Sequence, residues 1–253
     1  MPASGNFDLL AALRLIRLTF WAEFAPIMLA GFALLTLPAI AGHVLGTVQG
    51  EMLGTAGQTL SLVMTMLFLA VVSFGTTAAL HDHKLSTAAF LSSGLRGAQP
   101  GLLVALVMGV VATTGVILVT IATGHPLAWL VRGSVTGTLI WLTATWLPAI
   151  PAAIAERLPP FEALRRAAAL TRGHRGTVLI LLLIAFLALV PGAMLINTII
   201  FGPNATPERA QAMLDAMPLL HPGLWIYALF ELLGTGLIAC VPPVVYWQLT
   251  TAK

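Results

Sequence analysis

Six apolar stretches of about 20 residues each decide what this chain can become. They run over residues 22–44, 59–80, 101–122, 128–150, 177–201 and 223–247. Wound as an α-helix at about 1.5 Å per residue, each is long enough to cross about 30 Å of hydrocarbon. The sequence therefore predicts an all-α, polytopic protein of six transmembrane helices, forming a single membrane domain over residues 1–253. Composition agrees: 58% of residues are hydrophobic and 8% charged, against about 25% charged in an ordinary soluble domain. That balance excludes a soluble globular enzyme, a disordered chain and a charged nucleic-acid-binding surface. Cys240 is the single cysteine, so neither an intrachain disulfide nor an intrachain structural zinc site is available.

The charges are few, so their placement carries more than the net +3. With a cytoplasmic N-terminus, the inside segments hold Arg14, Arg17, Lys84, Arg96, Arg157, Arg165, Arg166, Arg172, Arg175 and Lys253. The outside loops hold Arg209, and Arg132 is embedded in the fourth stretch. Lysine and arginine resist translocation, so both termini are expected in the cytoplasm. Arg14 and Arg17 ahead of the first stretch, and Ala39-Ile40-Ala41 near its end, resemble a signal peptide. The long charged leader makes an uncleaved anchor the expectation instead.

Two inside loops, Leu85–Pro100 and Glu156–Gly176, are each long enough for a short helix. In the second, Phe161, Leu164, Ala168 and Thr171 form an apolar stripe flanked by Arg165 and Arg172, with Glu162 and Arg166 as an i,i+4 pair beside it. An arginine-edged stripe suits an interfacial helix whose cations reach anionic headgroups. The first loop repeats the design more weakly, with Leu85, Ala88, Ser92 and Leu95 on one face before Arg96-Gly97. Aligning Arg96-Gly97 with Arg172-Gly173 carries the second and third stretches roughly onto the fourth and fifth. The reading is a parallel two-fold repeat of span, cytoplasmic surface helix, span. Outside, Thr206-Pro207-Glu208-Arg209 reads as a helix start running to about Met217.

The run Leu147-Pro148-Ala149-Ile150-Pro151, then Glu156-Arg157, Phe161-Glu162-Ala163-Leu164-Arg165-Arg166 and Leu170-Thr171-Arg172-Gly173, resembles the YciC-like bacterial inner-membrane proteins. It is also similar to the membrane domain that precedes some glycerophosphodiester phosphodiesterases. Motif-level similarity spans the Leu147–Gly173 stretch, and the layout resembles theirs over nearly the whole chain. The resemblance implies a six-helix inner-membrane protein tied to envelope lipids. The phosphodiesterase chemistry belongs to a soluble domain that has no counterpart in this sequence.

Chemistry-bearing groups are sparse. His81-Asp82-His83 offers metal-ligand atoms, but i and i+2 positions do not share a helix face. His43, His125 and His221 lie near outer span ends, where a metal site and plain interfacial residues are both open readings. No serine sits in a nucleophile elbow, and there is neither a phosphate-binding glycine loop nor an HExxH pair. No catalytic residue, cofactor or metal is assigned. Pro38, Pro148, Pro191 and Pro242-Pro243 interrupt four spans, which in transporters line cavities and elsewhere shape packing. Arg132 and Glu231 sit within spans at depths of roughly 6 and 12 Å, counted at 1.5 Å per residue, and are expected to form an intramembrane ion pair. The candidate headgroup contacts are Arg165, Arg172 and Arg96. The function expected is a non-enzymatic scaffold or lipid-handling factor in envelope lipid homeostasis, partnered by membrane lipids and not by nucleic acid. The alternative is a small transporter or channel-like permease. A membrane-protein partner or a second copy is left open.

Overall fold

The computed structural model describes residues 7–42, 51–81, 83, 85–122 and 128–251, and all its regular structure is helical. Asp8 starts it. Its carboxylate accepts the N–H groups of Leu10 (2.9 Å) and Ala11 (3.1 Å), capping α1 (Leu9–Ala22). Ala12, Ile16, Thr19 and Phe20 are the buried face of α1, at i, i+4, i+7 and i+8. Leu10, Arg14, Arg17, Leu18 and Trp21 are exposed on the opposite side. The segment expected to be a charged leader is therefore an amphipathic helix. The first span follows as a separate element, Phe24–Gly42. It opens with α2 (Phe24–Gly31), then widens into a π-turn over Phe32–Thr36, closed by the Leu37 N–H on the Phe32 carbonyl. The widening lies one turn ahead of Pro38, whose ring would otherwise press on the carbonyl four residues back.

Among the described residues, six helices are long and apolar enough to cross a membrane. After the first come α3 (Glu51–Leu80), then α4 (Thr87–Gly97) and α5 (Gln99–Ile121). The fourth span is broken at Leu147-Pro148 into α6 (Ala128–Trp146) and α7 (Ala149–Glu156). A turn leads to α8 (Pro160–Leu170), and the fifth span is α9 (Arg175–Phe201), which passes through Pro191 without a break. Outside the spans, α10 (Pro207–Ala216) starts where the sequence placed it, with Thr206 Oγ1 accepting the Arg209 N–H at 3.3 Å. The sixth span divides at Cys240, ahead of Pro242-Pro243, into α11 (Pro222–Ala239) and α12 (Val241–Thr251).

Lipid tails are as apolar as leucine, so helices cohere in a membrane by close packing more than by expelling water. The chain brings its helices together through small residues. Phe90 of α4 lies over Gly75 of α3, Phe74 lies over Gly97, and a Cβ on Gly94 would stand 2.9 Å from Val71 Cγ1. The Cβ that Gly101 lacks would stand 2.8 Å from Ile154 Cδ1, which lets α5 seat on α7. In α7, Ala149, Ile150, Pro151, Ala152 and Ala153 are all buried. Phe68, Val71 and Val72 make α3 the central span. By contrast α9 buries 6% of its most apolar stretch, which marks it as peripheral.

Contacts between ends show which termini share a side. His81 after α3 stacks edge-on against Trp247 of α12 at 4.7 Å between ring centroids. Tyr246 of α12 reaches Glu156 of α7, and Gln248 donates to the Asp8 carbonyl ahead of α1 at 3.2 Å. Phe7 approaches His174 at the start of α9. The termini of five helices thus gather at one end of the bundle, together with α4 and α8.

Two sequence expectations need correction here. The inward face of α8 is Ala163, Leu164, Ala167 and the following Thr171, while Phe161 is 69% exposed. Alanines allow a nearer approach of α8 to α5, α6 and α7 than a phenylalanine would. On α4 the inward face is Phe90 and Gly94, while Ala88, Ser92 and Leu95 are exposed. There the glycines, not the aliphatic residues, mark the contact.

Candidate functional site

The site grows from the turn between α7 and α8. Arg157 adopts a left-handed backbone (φ 53°), and Leu158 donates its N–H back to the Ala153 carbonyl at 3.1 Å, terminating α7. Pro159 is extended and Pro160 occupies the first turn of α8. This reversal brings Glu156 alongside Arg166, ten residues on. Arg166 Nε donates to both carboxylate oxygens, at 3.0 and 3.1 Å. Tyr246 donates its hydroxyl to the same carboxylate at 3.1 Å. The expected Glu162–Arg166 pair is not formed, because Glu156 offers Arg166 a better-aligned partner across the turn.

Glu156, Leu158, Glu162, Arg165 and Arg166 line a shallow, open groove of about 470 Å³. Arg165 on α8 and Arg172 in the turn that follows it are both exposed. Thr171 fixes the end of α8 by donating to the carbonyls of Ala167 (2.9 Å) and Thr145 (3.2 Å). Beyond it, Arg175 rests on the face of Trp141, with its guanidinium carbon 4.9 Å from the ring centroid. Arg96 is exposed in the last turn of α4.

Arg132 and Glu231 are not brought together. They stand on α6 and α11, with α9 packed against both of those helices, and no ion pair joins them. Their similar depth was readable, but depth says nothing of which helices are neighbours. His81 Nδ1 bonds the Thr77 carbonyl at 2.8 Å, His83 Nδ1 bonds the His81 carbonyl at 2.7 Å, and His221 Nδ1 accepts the Gly223 N–H at 3.1 Å. Asp82, His43 and His125 lie outside the described residues.

Sequence reasoning also passed over a polar layer in the core. Glu23, at the α1–α2 junction, is buried, as are Ser73, Thr76 and Thr77 of α3. The buried Cys240 thiol, close to Thr76, donates to the Gly236 carbonyl at 3.4 Å. The hydroxyl oxygens of Thr76 and Thr77 have no hydrogen-bond partner. A signal existed in the lone acid on the boundary of the first apolar stretch. No family model, curated protein or solved structure matches the chain.

Proposed function

We propose that this is a non-enzymatic protein of a bacterial inner membrane that engages phospholipid headgroups at its cytoplasmic face, as a scaffold or lipid-handling factor for the envelope. One observation carries the reading: α1, α4, α8 and the turn after α8 gather at one end of the bundle and hold Arg14, Arg17, Arg96, Arg165 and Arg172 exposed. Helices at the headgroup level with exposed arginines attract anionic lipid, each cation near such a surface contributing about 1 kcal/mol. The resemblance to YciC-like proteins supports the same reading, as does the span, surface helix, span order of two successive units. Replacing both Arg96 and Arg172 with glutamine is expected to weaken anionic-lipid retention by about 2 kcal/mol in total, roughly thirtyfold. Native mass spectrometry of the purified protein measures it, and unchanged retention would sink the proposal.

A permease is the second reading, favoured by the buried Glu23, Ser73, Thr76 and Thr77 together with the break of the sixth span at Cys240. Interrupted spans with inward polar groups line transport sites in other folds. Substrate uptake by reconstituted proteoliposomes that is lost in Thr76→Val, with lipid retention intact, would favour it over headgroup binding.

A further inference from the structure

The groove at the α7–α8 turn is not a plain cationic patch. It is lined by two carboxylates and two guanidinium groups, so its formal charges cancel. One pair is closed internally: Arg166 binds Glu156, which also holds the Tyr246 hydroxyl. That leaves Glu162 and Arg165, both exposed and three residues apart on α8. Positions i and i+3 are neighbours on a helix surface, yet no ion pair joins these two. The groove therefore presents one negative and one positive group side by side, each open to a ligand. Its remaining lining is apolar, through Leu158. Phe161, 69% exposed, lies one turn before Arg165. An anionic headgroup would satisfy Arg165 and be repelled by Glu162. A headgroup with a phosphate and a nearby ammonium satisfies both.

We propose that this groove seats the headgroup of a zwitterionic aminophospholipid, its phosphate on Arg165, its ammonium on Glu162, and its acyl chains leaving past Leu158 and Phe161. The inference rests on the headgroup-binding reading above and gives that reading a lipid class. An ethanolamine head carries its ammonium two carbons from the phosphate ester, a spacing suited to neighbouring side chains on one helix face. Charge complementarity selects here against phosphatidylglycerol, which the exposed arginines elsewhere on this end of the bundle would attract.

The test uses the full chain in nanodiscs that contain photoreactive phosphatidylethanolamine or phosphatidylglycerol with identical acyl chains. Adducts are mapped by peptide mass spectrometry. In the wild type, ethanolamine-lipid adducts on residues 156–166 should exceed glycerol-lipid adducts about fivefold. Glu162→Gln should bring that ratio to about one, while adducts near Arg172 and Arg96 stay unchanged. Arg165→Gln should lower both lipids in the groove. Equal labelling by the two lipids in the wild type, or a ratio unmoved by Glu162→Gln, overturns the zwitterion assignment alone. Loss of groove labelling under an equal concentration of soluble glycerophosphoethanolamine overturns the assignment to a lipid in favour of a free headgroup. Absence of adducts from α1, α4 and α8 altogether overturns the headgroup-binding reading itself.

Discussion

At the scale of single residues, Glu156 ties together two helix contacts at the arginine-bearing end of the bundle. It joins α7 to α8 through Arg166 and to α12 through Tyr246. Hydrogen bonds to charged groups stabilise more than neutral ones, but Arg166 is 45% exposed and water competes for it. The Tyr246 hydroxyl is better shielded, since Tyr246 is 6% exposed overall. Tyr246→Phe should therefore cost about 1 kcal/mol and lower the melting temperature in detergent. A variant melting with the wild type would show that the hydroxyl contributes nothing net at Glu156. This centre was only partly legible. The i,i+4 rule reaches no further than one helical turn, and it assigned Arg166 to Glu162. The true partners stand 10 and 90 residues from one another, placed by a chain reversal and by helix packing.

Among the elements, what the sequence showed and what it hid divide along a physical line. Long apolar runs announce spans whatever their neighbours are, and the second was placed at the same limits as observed, Thr59–Leu80. Which side of a short helix faces inward depends on what it meets, so the faces of α4 and α8 were misread. The amphipathic pattern of α1 was present in Ala12, Ile16 and Phe20 and was obscured by the arginines between them. The α3–α4 contact gives a test. Gly75→Ala should destabilise the protein by about 1–3 kcal/mol, because its Cβ would collide with the Phe90 ring. Gly133→Ala and Gly137→Ala should be tolerated, since nothing lies within 4 Å of either added Cβ. Thermal melts of the three variants check the contrast, and equal losses would refute the packing. The left-handed turn offers an opposite sign. Arg157→Gly relieves a backbone strain of about 1 kcal/mol and should raise stability as long as the turn governs it. A drop in melting temperature would mean that the arginine side chain outweighs its backbone.

For the whole molecule, the decisive quantity is which side of the membrane receives the arginine-bearing end. Ring and hydrogen-bond contacts tie the ends of α3, α7 and α12 to the starts of α1 and α9. These segments must therefore share a side, whichever side that is. Charge then makes the choice: Arg14, Arg17, Arg96, Arg157, Arg165, Arg166 and Arg172 flank the spans at this end, against Arg209 on α10 at the other. Retention of cations in the cytoplasm is the ground on which this end is proposed to face inward. Reporter fusions at Arg96, Arg172 and Lys253 should report the cytoplasm, and those at Gly54, His125 and Asn204 the outside. The same experiment bears on internal symmetry. A parallel repeat of span, surface helix, span requires the second and fourth spans to run in one direction and the third and fifth in the other. Arg96 and Arg172 follow the second and fourth spans, so they must report the same side. Opposite signals at these two positions would remove the repeat and the six-span topology together. Uniform reversal of all six would keep the repeat but place the proposed headgroup-binding end in the outer leaflet, where the proposed function could not operate.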